Sequence, residues 1–303
     1  MADTSALLLD GLRRRRRRIG RILTFSLRRL AGGAAVLAGF GLLASGALAG
    51  PGAEGNGAEG PCVRLSFETA KYIVCTVPRD PKGANESLRL SWKDRSGQPY
   101  RRFSALSDAL GADGRTLVFA MNAGMYSEAF VPVGLYVEDG HESVPVNTSG
   151  RPQAKGPIPN FYRTPNGIFL IDEAGGHIVT TEAYLRRQKA GNPAPQFATQ
   201  SGPMLVIGNH LHPDFIPGST DRTRRSGVGV CSDGTIRFAI SEDEVNFHDF
   251  ARLFRDELKC PDALFLDGGH GTGLYAPSLG RNDTSWHGGY GPMFALVARK
   301  PGE

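Results

Sequence analysis

The sequence contains no phosphate-binding P-loop, no glycine-rich dinucleotide turn set between a strand and a helix, and no Ser-centred nucleophile elbow. The common nucleotide-binding and serine-hydrolase signatures are therefore missing. Cysteine is scarce: Cys62, Cys75, Cys231 and Cys260 are the only four, and none stands in Cys-x-x-Cys spacing, which argues against a structural zinc site. The dense Asp/His cluster that a two-metal phosphodiesterase needs is lacking as well. No internal repeat is visible, and no transmembrane span interrupts the chain beyond residue 49.

Positive charge is abundant but confined. Arg13 to Arg18 form an unbroken run, with Arg21, Arg28 and Arg29 behind it, before the uncharged Ala/Gly/Leu-rich stretch Leu30 to Ala49. A basic segment, an apolar segment and an Ala-x-Ala ending predict an export signal over 1–49, cut after Ala49. An uncleaved anchor facing the periplasm is the alternative, and contact with a membrane is expected only through that segment. The Arg-Arg pairs leave the export route open. Residues 1–49 hold nine Arg and two Asp, so the remainder carries 35 − 9 = 26 basic and 30 − 2 = 28 acidic residues, a formal charge of −2 against +5 for the whole chain. The basic balance belongs to the signal, and no nucleic-acid partner is expected. An even number of cysteines in an exported chain points to disulfides. Of the three pairings, Cys62–Cys75 and Cys231–Cys260 is preferred, the first stapling a hairpin and the second tying a strand to the end of the next helix.

Forty glycines favour tight turns and β-structure. Residues 50–61 read as a flexible linker, and 62–303 as one domain. Alternation at Val63, Leu65 and Phe67, then at Tyr72, Val74 and Thr76, predicts a hairpin; Leu88 to Trp92 predicts a third strand. Phe103 to Leu110 has helical spacing, with Ser104 as its cap. Thr116 to Met121 reads as a buried strand delivering Asn122-Ala123-Gly124. Hairpins are expected around Asp139-Gly140, Glu173 to Gly176, and Ser232-Asp233-Gly234. Pro-rich residues 151–165 read as a long loop, of the kind often used for binding or as a lid. Thr180 to Lys189 reads as a short helix, and Phe197 to Pro203 as a lead-in to the strand Met204–Ile207. Val245 to Leu258 is the clearest helix, with Phe247, Phe250, Ala251, Phe254 and Leu258 on one face. Ala263 to Leu266 reads as a buried strand ending in Asp267-Gly268-Gly269, and Met293 to Val297 as the last strand. Strands outnumber helices, so the fold class is α+β, a single domain with a large mixed, mainly antiparallel β-sheet and a few packed helices.

Several apolar strands thus end in polar, Gly-containing turns: Asn122-Ala123-Gly124, Gln200-Ser201-Gly202-Pro203 and Asp267-Gly268-Gly269, with Arg225-Ser226-Gly227 entering a strand. Gathered on one rim, they would supply amides, a hydroxyl, a guanidinium and a carboxylate. A guanidinium fork suits a phosphate, and an Asp can act as base or nucleophile. Each also has a plainer reading: Asn122 caps a turn, Gln200 and Ser201 satisfy loop backbone, Asp267 closes an Asp-Gly turn, and Arg225 makes an ion pair, with Arg222 and Arg224 equally placed by spacing. His270 is a general acid, a metal ligand or a wall residue. His210 and His212 flank Leu211 without a third fixed ligand for a metal, and His248 lies on the long helix.

In order along roughly residues 62–298, Met121 to Tyr126, Gln200 to Leu205, Arg225 to Val230 and Leu264 to Gly269 resemble the phosphodiester glycosidase family, most closely its exported bacterial branch. The resemblance implies a hydrolase that cuts the bond between a sugar's anomeric carbon and a phosphodiester. It implies a site around Asn122 and Gly124, Arg225, and Asp267 to Gly269, with catalytic roles for Asp267, Arg225 and Asn122 and substrate binding at Gly124, Gly268 and Gly269. From the residues themselves, Gln200, Ser201 and His270 are expected to bind substrate as well. The implied partner is a sugar-phosphate-containing glycan or glycolipid. No cofactor is firmly implied, and a divalent cation stays open. Ala123 departs from the family's Asn-Gly-Gly turn, and His270-Gly271-Thr272 departs from the residues that usually follow Asp-Gly-Gly. Two alternatives remain: a catalytically silent glycan-binding or envelope-assembly protein of the same fold, and a metal-dependent phosphodiesterase.

Overall fold

A computed structural model describes residues 60–77, 86–150, 156 and 158–300. The expected signal, most of the linker and much of the Pro-rich loop lie outside the described residues.

Strand β1 (Cys62–Phe67) turns through Glu68-Thr69 into β2 (Ala70–Val77), which places Cys62 opposite Cys75. β3 (Glu86–Ser91) precedes helix α1 (Phe103–Ala112). Arg102, not Ser104, is the N-cap of α1, and no side chain caps it; Ser104 lies two residues past the cap position, inside the first turn. β4 (Arg115–Asn122) follows. β5 (Tyr136–Glu138) and β6 (His141–Val144) are joined by Asp139 and Gly140, both at positive φ, as the tightest hairpin turns require. β7 (Gly167–Asp172) and β8 (Gly175–Thr180) form the next hairpin. Helix α2 (Thr181–Lys189) is capped by Thr180, whose hydroxyl accepts from the Ala183 amide at 3.1 Å.

Residues 197–201 form a strand, β9 (Phe197–Ser201), where the sequence suggests only a lead-in; it is buried at every position and runs directly into β10 (Met204–Ile207) and the short β11 (His210–Leu211). β12 (Arg225–Val230) and β13 (Ile236–Ser241) make the hairpin expected around Asp233. Helix α3 (Phe247–Arg252) starts at Asn246, whose side chain accepts from the Asp249 amide. It widens into a π-turn over Leu253–Glu257, so the long amphipathic stretch is helical but not one regular α-helix. β14 (Asp262–Gly268), β15 (Leu274–Ala276), β16 (Arg281–Asn282) and β17 (Met293–Arg299) complete the chain.

The α+β reading holds, with the strands shared among three sheets, all of whose pairs are antiparallel. They run β1-β2-β13-β12-β14-β10-β11, β16-β15-β4-β17-β3 and β6-β5-β9-β7-β8. Their inner faces meet at Phe119 (β4), Phe169 (β7), Phe238 (β13) and Phe294 (β17), rings packed edge-on or tilted with centroids 4.8–6.2 Å apart. Helix α3 covers the outer face of the seven-stranded sheet, where Phe250 and Phe254 pack with Val74, Ala239, Ala263 and Phe265. Cys62–Cys75 and Cys231–Cys260 are the disulfide pairs. Among the described residues, no helix is long and apolar enough to cross a membrane.

Candidate active site

The strand ends do gather. β14 pairs with β12 so that Ser226 faces Asp267 and Arg225 faces Gly268. A bulge between Ser226 and Gly227 turns the end of β14 at this point. Ser226 and Asp267 share the inner face. The Ser226 hydroxyl accepts from Asn122 Nδ2 (2.9 Å) and from the Asp267 amide (3.3 Å), and donates to the Asp267 carbonyl (3.2 Å). One donor and two lone pairs are thereby used up. Asn122 is fully buried at the end of β4; it also donates to the Ala123 carbonyl (3.3 Å) and accepts from the Gly273 amide (3.1 Å). Ser201, at the end of β9, donates to the Leu266 carbonyl at 2.9 Å. Three strands, β4, β9 and β12, are thus clamped around the backbone of β14 that carries Asp267.

The Asp267 carboxylate accepts one hydrogen bond, from the Gly268 amide at 2.8 Å. A Cβ at position 271 would lie 2.1 Å from Asp267 Oδ2, so only glycine lets the chain pass over this carboxylate. Burial raises the acid from the usual 3.8 to about 6, with the Gly268 amide opposing the shift. Tyr126 lies within range of its charge, and burial together with Asp267 pushes the Tyr126 phenol well above its usual value. Tyr290 stands next to Gly273 with its hydroxyl buried and without a hydrogen-bond partner among the described residues. On the same side, Arg224 Nη2 is 3.7 Å from Asp283, also without a hydrogen bond.

Arg225 goes the other way. Strand alternation sends it to the outer face, where its guanidinium lies 3.7 Å above the Phe247 ring, donates from Nε to the Val245 carbonyl (2.8 Å) and from Nη2 to the Asp221 carbonyl (3.1 Å). It is 1% exposed, and burial lowers its pKa to about 10. Gln200 is also committed. Its amide oxygen accepts from the Leu135 and Asn147 amides, and its nitrogen donates to the Asn147 carbonyl and the Thr181 hydroxyl. A Cβ at Gly124 would lie 2.5 Å from the Gln200 carbonyl, so Gly124 packs β4's exit against β9. Gly268 and Gly269 do lie beside Asp267, the Gly269 amide donating to the Arg224 carbonyl at 2.9 Å. His270 is exposed, its ring near that of Trp286.

The other histidines do not form a metal pair. His210 Nδ1 bonds the Gly208 carbonyl, while buried His212 donates to the Thr164 carbonyl and accepts from the Asp214 amide. His248 is half-buried beside Asp249. Among the described residues, no group of three or more His, Cys, Asp or Glu side chains is placed to hold a metal ion. Sequence reasoning passed over Ser226, Tyr126, Gly271, Gly273, Tyr290 and Trp286. The period of two along β12 signals Ser226, because it puts Ser226, not Arg225, on Asp267's face.

A family model described as phosphodiester glycosidase matches residues 115–295, which span β4 to β17. The chain is 32% identical over 185 residues to the uncharacterized protein YigE of Escherichia coli (strain K12), covering 60% of this chain and 67% of that one. In fold it is similar to the catalytic domain of zebrafish N-acetylglucosamine-1-phosphodiester alpha-N-acetylglucosaminidase, auto-inhibited by its pro-peptide. That match has a TM-score of 0.53 at 13% identity, over 78% of this chain and 81% of the other.

Proposed function

Since the chain belongs to the phosphodiester glycosidase family, we propose that it hydrolyses the glycosidic C–O bond of a sugar 1-phosphodiester in a glycan or glycolipid. One observation carries this reading beyond the family: a single desolvated carboxylate, Asp267, held rigidly at a rim where four strand ends converge. Ordinary glycosidases use two carboxyl groups, one of them to protonate the leaving oxygen. A phosphodiester departs as a stable anion, so one carboxylate acting as base is enough. Asp267 takes a proton from water, the water oxygen bonds to the anomeric carbon, and the C–O electron pair leaves with the phosphate. Arg224 is the cation on Asp267's side of the sheet, and its Nη2, ion-paired with Asp283 but without a hydrogen bond, is the group we assign to the phosphate. Asn122, Ser226 and Ser201 act by positioning, because their hydrogen bonds are spent within the protein.

We also propose that the protein works outside the cytoplasm, most simply in the periplasm. The support is the pair of disulfides and the composition of the first 49 residues.

The products of p-nitrophenyl sugar 1-phosphodiesters test the activity. Free sugar and p-nitrophenyl phosphate are expected. Direct release of p-nitrophenol would mean P–O cleavage and would overturn the reading.

A further inference from the structure

Trp286 is the most exposed large apolar side chain of the described residues, at 88%. A single exposed indole is by itself ordinary. Its surroundings are not. The indole centroid lies 5.8 Å from the ring of His270, three residues after Asp267. The next residue, His287, accepts or donates a hydrogen bond at 3.0 Å with the hydroxyl of Tyr126, the phenol that feels the Asp267 charge.

Both ends of the Trp286 loop are fixed. The Asp283 amide donates to the Leu274 carbonyl at 3.0 Å, and the Tyr290 amide to the Arg101 carbonyl at 2.8 Å. The indole is therefore carried by a loop pinned on two sides of the proposed site. Around it stand polar groups, Ser285, His270 and His287. Among the described residues the His270 ring makes no hydrogen bond.

Ser285 bonds His287 at 2.9 Å and His287 bonds Tyr126, which leaves His270 as the unengaged polar group beside the indole. A flat apolar face with a free hydrogen-bonding group beside it matches a pyranose, which has apolar C–H faces and hydroxyls at its edge. We propose that Trp286, with His270 at its edge, is the stacking platform for the sugar ring of the substrate, so that the ring's anomeric carbon is presented toward Asp267. The proposal rests on the hydrolase reading for its choice of ligand. Trp286 acts as a binding and specificity residue and takes no part in proton transfer.

The chain has only two tryptophans, and the other, Trp92, is buried. Emission that iodide can quench therefore reports Trp286, without any need for turnover. The intact protein is titrated with glucose 1-phosphate and with N-acetylglucosamine 1-phosphate, and separately with inorganic phosphate and with anionic phospholipid vesicles. The proposal expects a blue shift and protection from iodide with at least one sugar phosphate and none with phosphate alone. In Trp286→Ala, that response disappears and KM for a hydrolysed sugar phosphodiester rises about tenfold with kcat within about twofold, the size expected for one aromatic stacking contact. Protection by vesicles but not by sugar phosphates would make this a membrane contact and overturn it. So would a blue shift that follows protein concentration, which signals self-association, or no response to either sugar phosphate. If sugar phosphates protect Trp286 but no diester is hydrolysed, the activity fails and the platform stands. If hydrolysis proceeds and Trp286→Ala leaves KM unchanged, the reverse holds.

Discussion

At the level of single residues the proposed chemistry rests on Asp267. Its carboxyl sits at about 6 in the folded protein against 3.8 ordinarily, so folding favours the protonated form. That contribution is complete below about pH 4 and is lost as pH rises through about 6. Wild type should therefore lose up to about 3 kcal/mol of stability across that window, while Asp267→Asn should not. The Asn variant should melt higher than wild type at pH 7 yet lose activity about 100- to 10,000-fold, the range of a removed general base. Melting curves from pH 4 to 7 check the first half, and an equal pH dependence in both proteins would contradict it. A second prediction separates the two arginines. Arg225→Lys cannot reproduce the fork over Phe247 or both carbonyl contacts, so it should cost about 2–4 kcal/mol of stability with little change in KM. Arg224→Gln should raise KM for the diester and barely change stability. The opposite pattern, by thermal melting and steady-state kinetics, would return the phosphate to Arg225. Asp267 was legible in the sequence because an apolar run ends abruptly in Asp-Gly-Gly. The outward direction of Arg225 was not legible, because resemblance names a position but does not say which face of a strand it occupies. The place of Asn122 at the end of a buried strand was legible, but its use as an internal clamp depends on Ser226 and Gly273, which are 104 and 151 residues away in sequence.

Among the elements, hairpins were easiest to read, since Asp139-Gly140 and Asp233-Gly234 mark turns through local geometry. Strand β9 was harder. Its Thr199, Gln200 and Ser201 are buried, and polar residues in a buried strand leave no apolar pattern to see; the partners of Gln200 and Ser201 come from segments distant in sequence. The end of α3 was also hidden, because the apolar face of Phe250, Phe254 and Leu258 is compatible with either an α- or a π-turn. This packing supplies a test of the α3 side of the fold. A Cβ at Gly229 would lie 2.8 Å from both Cys260 Sγ and Phe254, with neighbours held by a disulfide. Gly229→Ala should destabilise the protein by about 1–3 kcal/mol, as overpacking does. A denaturant midpoint equal to wild type would show that α3 can shift freely.

For the molecule as a whole, the fold class and the disulfide partners were accessible from the chain, whereas the division into three sheets was not. Sheet membership depends on contacts such as β13 with β2 and β14 with β10, between segments far apart in sequence. The disulfides close loops of separation 13 and 29. Reducing both should lower stability by about 2–4 kcal/mol per bridge, somewhat more for the longer loop. Unchanged melting under reductant would remove the main support for work in an oxidising compartment. The claim that matters most concerns which bond breaks, and hydrolysis of a sugar 1-phosphodiester in water enriched in heavy oxygen decides it. Heavy oxygen in the released sugar, none in the phosphate, and loss of turnover in Asp267→Asn are the predicted results. Label in the phosphate, or full turnover by the Asn variant, would contradict the account.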